Sequence, residues 1–386
     1  MSAKGNNGSY KVLMQLWSNE LTNDDNPPAF YLSRPNIRAV YTSNYGETTD
    51  DVHLLHFKEP KSTAYPLDLN KGFHQFIFRQ KSKPSQELAK VQKFVLESKD
   101  NVLKPNASIP DAEFRNEPQA KSKRKVVLGQ RGVLTRIMLV PYRLTPSEYN
   151  SYTFSATRYC GILHLTDVDW RDEPNKNGSY HGKFAQSCFS DDPDLDPITS
   201  VPVDENNITF CVYHTTMKEF DLIYSAEING IISDHKIADI HNMDEVNKCK
   251  FILTKLLWNK EQRGDILKHP KCLLWWLQCY LANTNDIFIG LKDSDGVVRV
   301  PAQIQKVKDM PKNQHWKPHI CIRFLHTLLV KMEEVMASVN CPYTVYKFVY
   351  DSYSRCMKFK IYKGKSEYSF LSEKYIKHCK EKTKHE

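Results

Sequence analysis

The sequence predicts a single domain of the α/β (α + β) class. The chain has 386 residues, 40% apolar and 11% aromatic, so it can bury a large core as one large domain or two smaller ones. Strand-like segments of alternating polarity and helix-like segments with apolar residues three and four apart follow one another along the chain. No internal repeat is present, and this organisation favours one domain with loops.

The charge balance is modestly basic, with 54 Lys and Arg against 45 Asp and Glu. This excess permits a polyanionic partner without requiring one, and a merely soluble basic protein fits it as well. The first residues contain no apolar core of a signal peptide, and no stretch approaches a membrane-spanning length. The ten cysteines lack the spacing of a zinc site, so we expect reduced thiols and a cytoplasmic or nuclear protein without a membrane partner.

The first half contains one clear helix and two predicted loops. Residues 85–98 carry apolar side chains at helical spacing. Residues 104–125 are polar and contain proline, and residues 171–206 are rich in Asp, Asn, Gly and Pro, so we predict loops there. The basic end of the first loop fits a nuclear signal, a phosphate patch or a solvated loop. Residues 125–142 predict a buried strand, a turn and a second apolar segment.

The second half has stronger patterns. "PKCLLWWLQCYLANTN" predicts a helix with Gln278 beside its apolar face, and "CIRFLHTLLVKMEEVMASVN" predicts another. "DIFIGLKDSDGVVRV" predicts a hairpin, because its "DSDG" lacks the closing Glu of a calcium loop. "MKFKIYK" predicts a half-exposed strand, and residues 373–386 predict a charged, frayed tail.

Two short segments are predicted to end strands on a charge. Residues 251–255, "FILTK", place Leu253 and Lys255 on one strand face, because strand side chains alternate. Residues 225–231, "SAEINGI", carry Glu227, and we predict that the two segments lie on neighbouring strands of one sheet. A Lys two residues after a carboxylate is common in sites that cut phosphodiesters, but here Leu253 takes the place of the carboxylate.

A metal-dependent nuclease needs carboxylates on adjacent strands, because Mg²⁺ prefers hard oxygen ligands, and a nearby Lys offsets phosphate charge. The ordered set R-G, G-x-x-x-E, E-x-D, E-x-K and W-x-Q is specific when complete. The chain has counterparts in the same order: "QRGVLT" at 130–135, "YCGILHL" at 159–165, "SAEINGI" at 225–231, "FILTK" at 251–255 and "WWLQCYL" at 275–281.

The chain resembles the decapping exoribonuclease (DXO) family of RNA 5′-end quality-control nucleases, through these motifs and through "LSRP" at 32–35, "DLNKGFHQF" at 68–76, "RGVLTRIMLVPY" at 131–142 and "WWLQCYLANTNDIFIGLKDSDGVV" at 275–298. The resemblance implies two mixed β-sheets flanked by helices and a deep cleft that takes an RNA 5′ end. It implies removal of incomplete or NAD-type caps and 5′-to-3′ degradation, with Mg²⁺ or Mn²⁺ as cofactor. Some relatives also bind a large 5′-3′ exoribonuclease, which is therefore a candidate protein partner.

The resemblance assigns roles to four retained residues. Arg131, Lys255 and Gln278 are predicted to bind RNA, while Glu227, Lys255 and Gln278 are the predicted remnants of the catalytic site. Each has a structural alternative. Arg131 could pair with a buried acid, Glu227 and Lys255 could form an ion pair across two strands, and Gln278 could cap a backbone group.

The departures from the family pattern are Leu165, Asn229 and Leu253, which replace three of four expected carboxylates. We therefore expect weak or absent metal binding, with Glu227 and Asn229 as weak ligands. Leu165 and Leu253 are expected to fill the emptied site with apolar volume.

A compensating carboxylate is one alternative: Asp167 or Asp169 could replace Leu165 if that segment were helical, although a solvated helix end explains both. Three functions stay open. The first is a non-catalytic or strongly impaired relative that binds RNA 5′ ends or partner proteins, the second an active decapping hydrolase, and the third a protein-interaction scaffold without RNA binding. The retained cations favour the first.

Overall fold

The computed structural model describes residues 9–16, 32–44, 47–49, 52–79, 84–97, 124–168, 176–259 and 266–382. Within these ranges the strands are β1 Lys11–Gln15, β2 Asn36–Asn44, β3 Glu47–Thr49, β4 His56–Phe57, β5 Leu67–Asp68, β6 Lys125–Gln130, β7 Tyr152–Tyr159, β8 Ile162–Asp167, β9 Phe189–Ser190, β10 Ile208–Met217, β11 Phe220–Glu227, β12 Gly230–Ile232, β13 Lys250–Trp258, β14 Thr284–Lys292, β15 Val297–Val298, β16 Gln303–Lys306, β17 Val345–Asp351 and β18 Cys356–Tyr362. The α-helices are α1 Pro84–Glu97, α2 Arg131–Leu139, α3 Lys176–Gln186, α4 Met243–Lys248, α5 Cys272–Tyr280, α6 Pro318–Met336 and α7 Glu373–Lys382.

The described strands form two mixed sheets. The first has ten strands in the order β1-β18-β17-β7-β8-β6-β11-β10-β2-β3, and β6 runs parallel to both of its neighbours. The second has the order β5-β15-β14-β13-β12-β4-β9, with β16 beside β14 and a parallel β13–β14 pair. Two mixed sheets with packed helices confirm the predicted α/β single-domain fold.

The main core joins both sheets to three helices. Helix α2 packs against α5 and α6. One buried apolar cluster combines Leu134 of α2, Leu277 of α5 and Leu328 of α6 with Phe154 of the first sheet and Ile287 of the second. Elsewhere α1 and α7 share a second cluster with the first sheet, and α3 packs on β13. None of the described helices has the length and hydropathy needed to cross a bilayer.

The strongest sequence patterns predict their elements correctly. Helices α1, α5 and α6 lie where apolar residues recur at helical spacing, and strand β18 coincides with the alternating segment. In α1, Leu88, Val91 and Val95 are all buried. The predicted hairpin is formed by β14 and β15, and Gly296 takes the positive φ of 78° that its turn requires.

Three expectations about turns, loops and the chain end are wrong, and a fourth lies mostly outside the described residues. Residues 171–206 contain helix α3 and strand β9, and the predicted tail contains helix α7, whose Tyr375 and Ile376 are buried. Strand β6 runs directly into α2 without the predicted turn. Most of the predicted loop 104–125 lies outside the described residues.

The segment 225–231 changes sheets, so the prediction that it shares one sheet with "FILTK" is correct only for its second half. Glu227 ends β11 in the first sheet, and the N–H of Ile228 still bonds Thr209 of the neighbouring strand. Gly230 then pairs with Ile252 of β13 in the second sheet. A Cβ on Gly230 would lie 2.4 Å from a backbone oxygen of the β4 region, so this close approach requires glycine. The alternation of polar and apolar residues continues from β11 into β12. The sequence pattern therefore gives no sign that the chain changes sheets.

Candidate functional site

Arg131 begins helix α2 at the end of strand β6. Strand β6 lies parallel to β11 with Gln130 opposite Ser225, so the helix starts beside the end of β11. The Nη1 of Arg131 donates to the backbone oxygen of Glu227 at 3.3 Å. This acceptor is neutral, and among the described residues no ion pair balances the charge of Arg131. The alternative that Arg131 pairs with a buried acid is therefore not supported.

Glu227 pairs with a residue that the sequence did not indicate. Its Oε2 lies 3.6 Å from Nη1 of Arg79, and these two side chains are 39% and 38% exposed. The Arg79 guanidinium also lies 5.8 Å from the ring centroid of Phe210. Within the described part of the chain, Glu227 therefore pairs with Arg79 and not with Lys255.

A second carboxylate, Glu205, lies close to this pair. Burial raises the pKa of Glu205, the backbone N–H of Arg79 bonds its carboxylate and lowers that pKa, and the neighbouring charge of Glu227 raises it. No motif or spacing marks Arg79 or Glu205, because segments far apart in the sequence bring them together. Only the tertiary structure identifies them.

Lys255 extends from β13 into the same region and is half-buried. The prediction that "FILTK" ends its strand on this charge is wrong, because β13 continues to Trp258. Removal of its ammonium from water lowers the pKa of Lys255 to about 8. Arg131 and Lys271 lower that pKa further, while Glu227 acts in the opposite direction. The site therefore brings Arg131, Glu227 and Lys255 together, as the motif order predicts.

Gln278 lies on helix α5, half-buried beside the core stripe, as the helical spacing predicts. Its Oε1 is buried and has no hydrogen-bond partner among the described residues. The alternative that this oxygen caps a backbone group therefore finds no support. A ligand or an ordered water would satisfy this acceptor, so the role of Gln278 stays a prediction.

Asn229 uses its side-chain oxygen to join the two sheets. The Oδ1 accepts the backbone N–H of Thr254 at 3.0 Å and the hydroxyl of the same residue at 3.3 Å. His181 of α3 contacts the same position, with Nε2 2.8 Å from the Thr254 backbone oxygen. Burial and the charge of Lys255 lower the pKa of His181, so its neutral ring donates this bond.

Leu165 and Leu253 lie in the main core, as predicted. Leu165 is fully buried on β8 and Leu253 is 9% exposed on β13. The proposed substitution by Asp167 is wrong in its premise, because that residue ends a strand instead of a helix and forms an ion pair with Arg136. Asp169 lies outside the described residues.

The described residues do not fit a divalent metal ion. They contain no group of three His, Cys, Asp or Glu side chains arranged to hold one. Of the two predicted weak ligands, Glu227 faces a guanidinium and the oxygen of Asn229 bonds Thr254. Mg²⁺ and Mn²⁺ require several hard oxygen ligands, and two of the expected positions are buried leucines.

The fold and the ordered motifs define a nuclease-type α/β domain. A profile of the RAI1-like PD-(D/E)XK nuclease family matches residues 36–376, and the chain belongs to this family. The family consists of decapping-nuclease proteins of RNA 5′-end processing, which confirms the resemblance seen in the sequence. The assignment of Lys255 to the lysine of the (D/E)-x-K element, with Leu253 at its acidic position, stays a prediction from the sequence.

Among its relatives are two proteins of Drosophila melanogaster. Protein cutoff is 24% identical over 335 residues, covering 81% of this chain and 79% of the relative. Decapping and exoribonuclease protein Rai1 is 22% identical over 339 residues, covering 83% and 85%. Candida albicans Rai1, solved in complex with pU5-Mn²⁺, has the same fold, with a TM-score of 0.67 and 14% identity over 97% of this chain and 100% of that chain.

Proposed function

We propose that this protein binds RNA 5′ ends and hydrolyses them poorly or not at all. The proposal rests on a contrast between lost acidic positions and retained basic ones. Two expected acidic positions, Leu165 and Leu253, are buried core residues, while the cations Arg131 and Lys255 remain beside the end of β11.

The weak hydrolysis follows from the missing oxygen ligands. Leucine has no lone pair to donate, and the single side-chain oxygen of Asn229 is already bonded to Thr254. Removing even an outer partner of a metal site typically weakens binding or activity about 10–100-fold, and here inner ligands are replaced. Without the ion, polarisation of the phosphate and activation of water are lost as well. The proposal therefore assigns Mg²⁺ or Mn²⁺ a weak role or none.

RNA binding follows from the uncompensated positive charge. Among the described residues Arg131 has only a carbonyl partner, and burial lowers the pKa of Lys255, so its ammonium is poorly solvated. A phosphate group supplies acceptors to both and restores the charge balance. Gln278 adds an unpartnered buried oxygen on helix α5, which packs against the helix that Arg131 begins. The pU5 ligand in the complex of Candida albicans Rai1 supports this ligand class.

The proposed setting is RNA 5′-end metabolism in the cytoplasm, the nucleus or both. A 5′-3′ exoribonuclease or another protein is the proposed protein partner, and an interaction scaffold without RNA binding is the alternative to be tested. The experiment below separates these two functions.

The test is a titration of short 5′-phosphorylated RNA in EDTA, followed by fluorescence anisotropy. Wild type is compared with Arg131→Ala/Lys255→Ala and with Arg299→Ala/Lys312→Ala. The control pair removes the same charge at exposed residues whose ion pairs are with Asp293, Asp295 and Asp309. We expect wild type and the control to bind, and the first variant to bind at least tenfold more weakly. Equal binding by all three proteins contradicts the proposal and favours the scaffold.

A cleavage assay tests the second half of the proposal. With Mn²⁺ or Mg²⁺ and capped, NAD-capped or 5′-monophosphate RNA, we expect no robust turnover. Fast turnover that disappears in Glu227→Gln would show that the remaining carboxylate supports catalysis.

A further inference from the structure

Arg79 is the feature of the candidate site that no family motif in the sequence indicated. The residues just before Arg79 are joined to residues 203–205 by backbone hydrogen bonds. The N–H of Ile77 bonds the oxygen of Val203 at 2.9 Å, and the N–H of Glu205 bonds the oxygen of Ile77 at 3.0 Å. This short ribbon fixes the backbone that precedes Arg79, and the guanidinium reaches Glu227 at the end of β11.

One carboxylate and one aromatic ring lie beside the Arg79 guanidinium, and a second carboxylate bonds the Arg79 backbone. Glu227 lies 3.6 Å away, Glu205 accepts the backbone N–H of Arg79, and the ring centroid of Phe210 is 5.8 Å from the guanidinium carbon. Glu227 is the one carboxylate retained among the expected metal ligands, and the cation that faces it is the guanidinium of Arg79. Here the cation belongs to the chain itself.

We propose that Arg79 takes the place of the divalent ion, by neutralising Glu227 and by contacting the RNA phosphate together with Arg131 and Lys255. This inference rests on the proposed function and adds a specific residue to it. It also explains how a carboxylate can remain at a phosphate-binding site without a metal, since a bare Glu227 would repel the ligand.

The geometry leaves Arg79 able to contact a ligand. Its contact with Glu227 is a single long one, and 38% of the side chain is exposed. A guanidinium has five N–H donors in a planar fork, so several remain for phosphate oxygens while Glu227 is still engaged. The guanidinium carbon lies 5.8 Å from the ring centroid of Phe210, within the range of a cation–π contact.

The test uses Arg79→Met, which keeps an apolar stem beside Phe210 and removes the charge. Arg299→Met is the matched control, because it removes an exposed arginine whose ion pairs lie in the β14–β15 hairpin. Binding of 5′-phosphorylated RNA is measured in EDTA at several salt concentrations and again with millimolar Mn²⁺. Circular dichroism and a thermal melt confirm that each variant folds.

In EDTA we expect Arg79→Met to lose about one phosphate contact, which lowers the slope of log K against log salt by roughly 0.7 and weakens binding about fivefold at 0.1 M salt. We expect Mn²⁺ to restore part of this loss in Arg79→Met and to leave wild type unchanged. Binding equal to the Arg299→Met control overturns the phosphate contact. A loss that Mn²⁺ does not restore overturns the equivalence with a metal ion. If wild type itself fails to bind in EDTA, the proposed function fails, whereas loss confined to Arg131→Ala/Lys255→Ala refutes only the role of Arg79.

Discussion

Restoring the missing carboxylates should create a metal site. Without a metal ion, the restored variant should be less stable than wild type. The variant is Leu165→Glu/Asn229→Asp/Leu253→Glu. Leu165 is fully buried and Leu253 is 9% exposed, so two carboxyl groups enter an apolar core. Burying an uncompensated charge destabilises a protein by several kcal/mol, and the groups respond by remaining protonated. In EDTA we therefore expect a lower melting temperature than that of wild type.

A divalent ion should reverse part of this loss. A ligand at 100 times its Kd stabilises the folded state by about 2.7 kcal/mol. For 386 residues the unfolding entropy is on the order of 0.8 kcal/mol per kelvin, so this corresponds to a rise of about 3 °C in Tm. Wild type should show no rise, and Leu165→Glu alone should be destabilised without responding to Mn²⁺, because ligands that act as a unit are not additive.

The assay is a thermal melt in EDTA and in a Mn²⁺ series, with the apolar variant Leu165→Met as a control for repacking. An equal rise in wild type would refute the reasoning, because it would mean that the present residues already hold the ion. A triple variant that folds but does not respond to Mn²⁺ would show that the site has lost more than its three acids.

Three further predictions concern single residues. Because the pKa of Lys255 is lowered to about 8, the folded state holds fewer protons than the unfolded state between about pH 8 and 10.4, so wild-type stability should rise with pH there. Lys255→Met should be more stable than wild type at pH 7 by about 1–3 kcal/mol, and this advantage should shrink toward pH 10 in urea unfolding; a constant difference would contradict the burial argument. Gly230→Ala should destabilise by roughly 1–3 kcal/mol, because the added Cβ would lie 2.4 Å from the Leu55 oxygen, whereas Gly132→Ala, with open space around it, should not. Gln278→Leu should leave the melting temperature unchanged or higher, since it removes an unsatisfied acceptor, while RNA affinity in EDTA falls; unchanged affinity would exclude Gln278 from the RNA site.

The elements predicted from the sequence are those with strong local periodicity. Helices α5 and α6 carry long apolar stripes, so the residues of adjacent turns are enough to predict which face is buried. Helix α3, in contrast, contains glycine and polar residues and is fixed by tertiary contacts, such as Phe184 in the second sheet's cluster and His181 on β13. Helix α7 escapes prediction because its charged residues outnumber the few that it buries.

The candidate site divides in the same way. Arg131, Glu227 and Lys255 could be predicted because they belong to motifs that follow one another in a fixed order, and the structure brings them together. Arg131 begins α2 and Glu227 ends β11, whereas Lys255 lies inside β13. Arg79 and Glu205 could not, because their positions depend on a ribbon between two distant segments. The commitment of the Asn229 oxygen to Thr254 likewise depends on where the chain changes sheets.

The most direct test of a phosphate site without a metal is a crystal structure with Mn²⁺ and a short 5′-phosphorylated RNA. An anomalous difference map at the manganese edge locates the ion independently of the fold. We predict a 5′ phosphate within hydrogen-bond distance of Arg131 and Lys255, and no anomalous peak beside Glu227. A manganese peak coordinated by Glu227 or Asn229, with the phosphate bound to the ion, would contradict a metal-free phosphate site.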